Sequence, residues 1–105
     1  MSMEDLNQFR AKIFKSLADP LRLQILEFIR EEEKCVCEIV PHLGVSQPLV
    51  SRQLKILKNR GLVTFRKDGT RRLYSVTEPQ IFKIIDALTP KIRTSLSEII
   101  VEQML

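Results

Sequence analysis

The sequence predicts a mainly α-helical chain with one small β-hairpin, and two observations predict it. Apolar residues recur at intervals of three and four along most of the 105 residues, which is the period of a helix packed on one face. This period changes to two over residues 62–76, where two β-prone runs flank an Asp-Gly pair. No repeat, low-complexity tract or Gly/Ser linker interrupts the chain, so we expect a single domain over residues 1–105.

The first two helices have recognisable boundaries. Residues 4–17 carry an apolar stripe at helical spacing, formed by Leu6, Phe9, Ile13 and Leu17. Asp19 and Pro20 are typical of an N-cap followed by proline at the first helical position. We expect this second helix to run to about Glu32, and the charged run that ends at Lys34 to be a solvated helix end and loop.

The next two helices are joined by a short turn. The spacing predicts a third helix over 35–43 that ends at Gly44. Ser46 is a good N-cap for a fourth helix, which we expect over 46–60 before the glycine at 61 ends it. A short helix, a turn with glycine and a capped second helix form a helix-turn-helix over residues 35–60.

The hairpin and the C-terminal region complete the predicted order ααααββα(α). Residues 62–76 are interpreted as a β-hairpin wing, with 67–71 at its tip. Thr77, Glu78 and Pro79 would cap the following helix. Pro90 either kinks that helix or breaks it, in which case Thr89 would be a new N-cap.

The net charge of +4 conceals one strongly basic third of the chain. Residues 46–75 hold eight Lys and Arg against a single acid, Asp68, while residues 1–45 and 76–105 are each slightly acidic. A basic cluster on a helix and a neighbouring hairpin is typical of a surface that binds nucleic acid. A solvated cationic surface with no such partner is the alternative.

Particular side chains are candidates for DNA contacts. On a helical wheel, one face of the 46–60 helix is apolar and the opposite face is polar or basic. Side chains there can donate to base edges or phosphates, and basic side chains at the hairpin tip suit the DNA backbone or the minor groove. The candidates are Ser46, Gln47, Ser51, Arg52, Gln53 and Lys55 on the helix, and Arg66, Lys67, Arg71 and Arg72 on the hairpin.

Several classes of protein are excluded by composition. No apolar run approaches the roughly 20 residues that span a bilayer, and the N-terminus has neither the basic nor the apolar region of a secretory signal, so we expect a cytoplasmic location. With one histidine, three glycines, no phosphate-binding loop and no nucleophile motif, we expect that the chain is not an enzyme.

Most of the chain resembles one family. Residues 18–26 resemble the second-helix signature of the ArsR/SmtB family of winged-helix repressors, and residues 45–57 resemble its recognition helix. Residues 61–63 and the hairpin over 66–74 are similar to its wing. One departure is Gln53, where the family more often has histidine; glutamine can still hydrogen-bond a base or a phosphate.

The resemblance implies a homodimeric transcriptional repressor. Such a protein binds a double-stranded operator with inverted-repeat symmetry and leaves it when an inducer binds. The residues agree with dimerisation, because the terminal regions 1–17 and 77–105 carry more apolar side chains than a helix-turn-helix and wing can cover. A dimer would place two recognition helices in successive major grooves, about 34 Å apart. Packing of both terminal regions within one chain is the alternative.

Cys35 and Cys37 resemble the family's metal-sensing motif. Residues two apart on an ideal helix point about 200° away from each other, so both thiolates can bind one ion only where the backbone is extended or distorted. Thiolates favour soft ions, namely arsenite or antimonite, Cd(II), Pb(II), Zn(II) or Cu(I). Val40 occupies a position where some members have a third cysteine, so His42, an exogenous thiol or the other subunit would supply the third ligand of a trivalent ion, and Asp, Glu or water could complete a site for a divalent ion. Folding is expected to need no ion.

Other functions remain open for this chain. The cysteines could form a thiol switch, in which intermolecular pairing or a sulfenic acid is favoured over a strained intrachain ring. They could also be inert thiols in a regulator that responds to no ligand. The third alternative is a winged-helix module that binds proteins and does not read DNA.

Overall fold

The computed structural model describes residues 1–104, and the helix-turn-helix followed by a hairpin is confirmed. Six helices and three short strands follow one another as α1 (Met3–Leu17), α2 (Pro20–Phe28), β1 (Lys34–Cys35), α3 (Val36–Leu43), α4 (Gln47–Asn59), β2 (Val63–Asp68), β3 (Arg71–Val76), α5 (Ile81–Ala87) and α6 (Pro90–Met104). The strands form one antiparallel sheet in the order β1-β3-β2.

Local capping begins the helices where the sequence predicts. The Asp19 carboxylate accepts hydrogen bonds from the backbone N–H groups of Leu21 (2.8 Å) and Arg22 (3.2 Å). The Ser46 hydroxyl accepts from the N–H of Leu49, so that α4 begins at the next residue after its cap. Both caps satisfy donors that a first helical turn leaves without partners.

The segment between α2 and α3 differs from the prediction. Helix α2 ends at Phe28, not near Glu32, and the chain then forms strand β1, which the sequence analysis missed. Lys34 and Cys35 pair with Tyr74 and Leu73 of the hairpin. Two residues are too few to show a period, and their strand exists because of a partner almost forty residues away.

The hairpin turn is tighter than the predicted tip at 67–71. Asp68 pairs directly with Arg71, so only Gly69 and Thr70 form the loop. Gly69 has a φ of +64° and Thr70 has no positive φ, which is the pattern of a two-residue turn with glycine first. Asp68 is therefore the last residue of β2.

The C-terminal region contains two separate helices. Proline breaks the predicted long helix: α5 ends at Ala87 and α6 begins at Pro90, where the Thr89 hydroxyl accepts from the N–H of Ile92 at 3.3 Å. The prediction that Thr77 caps α5 is wrong, because its hydroxyl donates instead to the carbonyl of Gly61.

The core lies between α2, α3, α4 and the sheet. Its fully buried side chains come from several elements and include Ile25, Leu26, Ile39, Val50, Leu54 and Leu57. The start of α5 completes it with Ile81 and Phe82. Helix α6 contributes no buried residue in the described chain. The core therefore fixes α4 and the hairpin relative to each other and leaves α6 outside.

Candidate nucleic-acid interface and cysteine pair

Helix α4 has one buried and one exposed face. Val50, Leu54 and Leu57 face the core with no exposed surface, which holds the helix firmly. The side chains predicted to meet DNA that the structure leaves exposed on this helix and its cap are Ser46, Gln47, Ser51, Arg52 and Lys55. The apolar and polar faces predicted from the sequence are thus the buried and exposed faces of this helix.

Gln53 is placed differently from the prediction. It is only 9% exposed, and its Oε1 accepts a hydrogen bond from Nη1 of Arg22 at 2.8 Å. Gln53 was predicted to contact DNA, but a donor on α2 draws its amide inward. Gln53 therefore joins α2 to α4 and is not part of the exposed surface.

Ion pairs occupy two of the four predicted hairpin cations. Nε of Arg66 donates to both carboxylate oxygens of Glu33 at 3.0 Å, and Nη2 of Arg71 lies 2.8 Å from Asp68. These hydrogen bonds hold the pKa values of Glu33 and Asp68 below their ordinary values. Lys67 is exposed at the hairpin tip.

Phe65 supports two cations beside α4. The Lys58 ammonium lies 4.7 Å from the centre of its ring, and the Arg72 guanidinium lies 4.8 Å from it. One of these cations comes from α4 and the other from β3, so a single aromatic ring on β2 joins the helix to the hairpin. No periodic pattern predicts this contact, because it depends on how the hairpin packs.

A groove of about 920 Å³ runs between α3, α4 and the hairpin. Its basic walls carry Lys55 and Lys58 from α4 and Arg71 and Arg72 from β3, and none of its lining residues in the described chain is acidic. The other polar side chains that line it include Gln47, Ser51, Asn59, Thr70 and Tyr74. A groove of this charge suits a polyanion.

The two cysteines line the same groove. Cys35 ends β1 and is the N-cap of α3, with extended backbone at φ −80° and ψ 157°, while Cys37 lies in the first turn. This extended residue overcomes the divergence of side chains two apart on a helix. The structure places the two sulfur atoms beside each other, with 5.1 Å between the Cα atoms, a separation that a disulfide can span.

Hydrogen bonds fix the position of the cysteine pair. The Cys37 N–H donates to Sγ of Cys35 at 2.9 Å, and the Cys35 N–H donates to Oε1 of Glu38 at 3.1 Å, which together form a capping box. Ligand atoms of Cys35, Cys37 and Glu38 lie within 4.8 Å of one another. Cys35 is 2% exposed, whereas Cys37 and Glu38 are exposed.

His42 lies outside this cluster, which corrects its prediction as a third ligand. Its imidazole stacks on Phe28 with 3.7 Å between the ring centres. It lies five positions after Cys37 along α3, and it lines a different surface depression with Leu23. Glu38 is the third ligating side chain that the structure brings to the cysteines; a glutamate ligand for a divalent ion was among the expectations, but not which glutamate.

Comparison with known proteins gives a consistent result. The model of the bacterial regulatory proteins of the arsR family matches residues 19–64. The chain is 43% identical over 75 residues to a Streptomyces lividans protein named "Probable mercury resistance operon repressor", covering 71% of this chain and 60% of that protein. It is 42% identical over 82 residues to an uncharacterised HTH-type transcriptional regulator of Methanocaldococcus jannaschii, covering 74% of this chain and 92% of that one.

A solved structure is similar over most of the chain. It is a homodimeric winged helix-turn-helix DNA-binding domain from Mycobacterium bovis, with a TM-score of 0.73 and 30% identity, covering 84% of this chain and 86% of that one. These relatives are regulators of transcription, which agrees with the prediction that the chain is not an enzyme. Within residues 1–104, no helix combines the length and apolar character needed to cross a membrane.

Proposed function

Because the chain belongs to the arsR family of bacterial regulatory proteins, we propose that it is a homodimeric repressor that binds operator DNA in the cytoplasm. The observation that carries the proposal is the basic groove between α4 and the hairpin, which has four cations and no acid on its walls. Inverted-repeat symmetry of the operator would follow from a two-fold axis relating two such grooves.

We assign the DNA contacts to two elements. Exposed polar side chains at the start of α4, with Arg52 and Lys55, are suited to base edges and phosphates in a major groove. Lys67, Arg71 and Arg72 on the hairpin are suited to the backbone beside it. Arg66 and Gln53 have smaller roles than the sequence suggested, because Glu33 and Arg22 already engage them. Arg71 also has an ion-pair partner, Asp68, but unlike Arg66 it lines the groove.

Binding measurements with variants test this assignment. An operator is first selected from random-sequence duplex DNA. Arg52→Ala should weaken binding about tenfold, and Arg71→Ala/Arg72→Ala should weaken it and lower the salt slope by about two. The control is Lys91→Ala on α6. Wild-type affinity in the first two variants, or failure of any sequence to be enriched, would contradict DNA reading and favour a protein-binding module.

We further propose that Cys35 and Cys37 hold a soft metal or metalloid ion as the inducer. Glu38 fits as a harder third donor, since its carboxylate lies within 4.8 Å of both sulfur atoms. Two thiolates with one oxygen suit Cd(II), Pb(II), Zn(II) or Hg(II), whereas arsenite or antimonite would call for a third thiol. The name of the mercury-resistance relative agrees with a soft ion.

Titration of the reduced protein tests the ion site. Direct binding of Cd(II), Hg(II), Zn(II) and arsenite is followed by calorimetry, and release of operator DNA by fluorescence anisotropy. We expect Cys35→Ser and Cys37→Ser to abolish both effects, and Glu38→Gln to weaken binding of Cd(II) more than that of arsenite. His42→Ala should behave as wild type. Unchanged binding in both cysteine variants would eliminate the site.

A further inference from the structure

The two cysteines are unequal in their access to solvent. Cys35 is 2% exposed and lies between β1 and the start of α3, whereas Cys37 is exposed at the groove. Their Cα atoms nevertheless lie only 5.1 Å apart, within the range that a disulfide spans. A reagent from solution therefore meets Cys37 first, and Cys35 lies behind it as the nearest second thiol.

The groove determines which reagents reach Cys37. Lys55, Lys58, Arg71 and Arg72 lie on its walls without an acidic lining residue in the described chain. These cations raise the local concentration of anions in the groove, while the Glu38 carboxylate beside the two sulfur atoms opposes this effect locally. Its volume of about 920 Å³ accommodates a molecule of several hundred Å³.

We infer that Cys37 is a modification site for small disulfides that carry carboxylates. The Cys37 thiolate attacks one sulfur of the reagent, the reagent's S–S bond breaks, and a new S–S bond joins Cys37 to one half of it. The other half leaves with the bonding electron pair as a thiolate and takes up a proton. Cys37 is thereby oxidised, and the reagent supplies the oxidising equivalent.

Cys35 then resolves the mixed disulfide. Its thiolate attacks Sγ of Cys37, the bond to the bound half breaks, and that half leaves as a second thiolate. The product is a disulfide between Cys35 and Cys37, whose Cα separation of 5.1 Å allows this bond. While the mixed disulfide lasts, its carboxylates face the cations of the groove and occupy the space proposed for DNA. The expectation that the adduct keeps DNA out of the groove rests on the proposed function, whereas the chemistry at Cys37 does not.

Rates of modification test the choice of reagent. Cys35→Ser, which cannot resolve the adduct, is reacted with oxidised glutathione, which is acidic, and with 2-hydroxyethyl disulfide, which is neutral. Each rate constant is divided by the rate constant for the reaction of 2-mercaptoethanol with the same reagent, so that the intrinsic reactivity of the reagent cancels. We expect the acidic reagent to be favoured about tenfold at low salt, and Lys55→Gln or Arg72→Gln to reduce this preference about threefold. Lys91→Gln is the matched control. An equal preference in all three backgrounds would overturn the inference.

Mass spectrometry of the full chain tests the two roles. Cys35→Ser should accumulate one glutathione adduct, while the wild type should release two thiols per chain and end with an intrachain pair. Cys37→Ser should react at least about tenfold more slowly, because Cys35 is buried. Circular dichroism of each variant shows that it is folded, and Cys35→Ala is a second background. Adducts that form equally fast at Cys35 would contradict the assignment.

Protection by DNA separates this inference from the proposed function. Random-sequence duplex at low salt should slow modification of Cys37 by the neutral reagent at least about fivefold, since the duplex would cover the groove. Binding of the unmodified protein to the same duplex is measured separately. If the duplex does not bind, the proposed function fails. If the duplex binds and leaves Cys37 fully reactive, the inference that DNA and the reagents occupy the same groove is wrong.

Discussion

At the scale of single residues, Arg22 joins three elements with one side chain. Its Nε donates to the carbonyl of Ser16 at 2.7 Å, its Nη2 to the carbonyl of Lys15 at 3.3 Å, and its Nη1 to Gln53 at 2.8 Å. The first two acceptors are carbonyls at the end of α1, where a helix leaves such groups without partners. Arg22 therefore fixes the end of α1 and the middle of α4.

Removal of Arg22 should be costly for stability. We expect Arg22→Ala to lower the free energy of unfolding by about 2 kcal/mol, because it leaves the Gln53 amide and a partly buried carbonyl without their donor. Arg22→Lys should recover only part of this loss, since an ammonium cannot reproduce the planar fork. Urea unfolding measures both. Arg93→Ala, on the exposed α6, is the control, and an equal effect there would contradict the role of Arg22.

Asp86 gives α5 a contact that depends on pH. Nη1 of Arg30 donates to its Oδ1 at 3.0 Å, and this hydrogen bonding holds the pKa of Asp86 below its ordinary value. The folded state therefore binds the proton less readily than the unfolded state. The stabilising contribution is complete above the ordinary aspartate pKa of about 4, and it is lost as the pH falls through the lowered value.

Urea midpoints at several pH values test this contact. The wild type should exceed Asp86→Asn at pH 7, and the difference should shrink as the pH falls below about 4 and vanish where Asp86 is protonated. Glu98→Gln on α6 is the control, because Glu98 has no ion-pair partner in the described part of the chain. A difference that stays constant with pH would show that charge at Asp86 is not the cause.

The structural role of a residue could be predicted where its near neighbours in the sequence determine that role. It could not be predicted where a distant partner determines it. The apolar period identified Val50, Leu54 and Leu57 as the buried face of α4, because helical spacing is local. The positions of Gln53 and His42 depend on Arg22 and Phe28, which lie on α2 and are not adjacent in sequence. The same is true of Arg66, whose partner Glu33 is 33 residues away.

At the scale of elements, the hairpin depends on the left-handed backbone of Gly69. With φ at +64°, a side chain there is strained even though open space surrounds the position. We expect Gly69→Ala to lower the free energy of unfolding by about 1 kcal/mol, as measured with urea. Thr70→Ala, which changes the neighbouring loop residue without this strain, should have an effect within about 0.5 kcal/mol. Equal losses in both would assign the effect to the loop in general.

The helices were easier to predict than the strands. Asp19, Ser46 and Thr89 each cap a helix through a bond to a residue two or three positions later, so the signal is complete within a few residues. Strand β1 has no such signal, because it exists only through its pairing with β3. The cysteine pair was therefore recognised as a motif, while its place at the edge of the hairpin sheet was not.

At the scale of the whole molecule, the exposed apolar face of α6 indicates dimerisation. Ile92, Leu96, Ile99 and Ile100 recur at helical spacing, and the last three are about half exposed. Phe9 and Phe14 of α1 are exposed to a similar degree. A second copy of the chain would cover these faces, as a homodimer is the state of the related winged-helix domain from Mycobacterium bovis.

A charge on this face should separate the subunits. Light scattering should give the wild type a mass about twice the 12.2 kDa of one chain, and Leu96→Glu should shift the equilibrium to monomers at micromolar concentration. The affinity for operator DNA should fall as the dimer dissociates, because a single recognition helix would then bind alone. Thr94→Glu, on the opposite face of α6, is the matched control. A dimer that survives Leu96→Glu would place the interface elsewhere.

The order β1-β3-β2 also gives the hairpin a gradient of mobility. Leu73 and Tyr74 have strand partners on both sides, whereas Arg71, next to the turn, has one. Amide hydrogens of Leu73 and Tyr74 should therefore exchange with solvent more slowly than those next to the turn. We expect the middle of the hairpin to keep its position beside α4, while the cations near the turn adjust to a duplex whose local shape varies along its sequence.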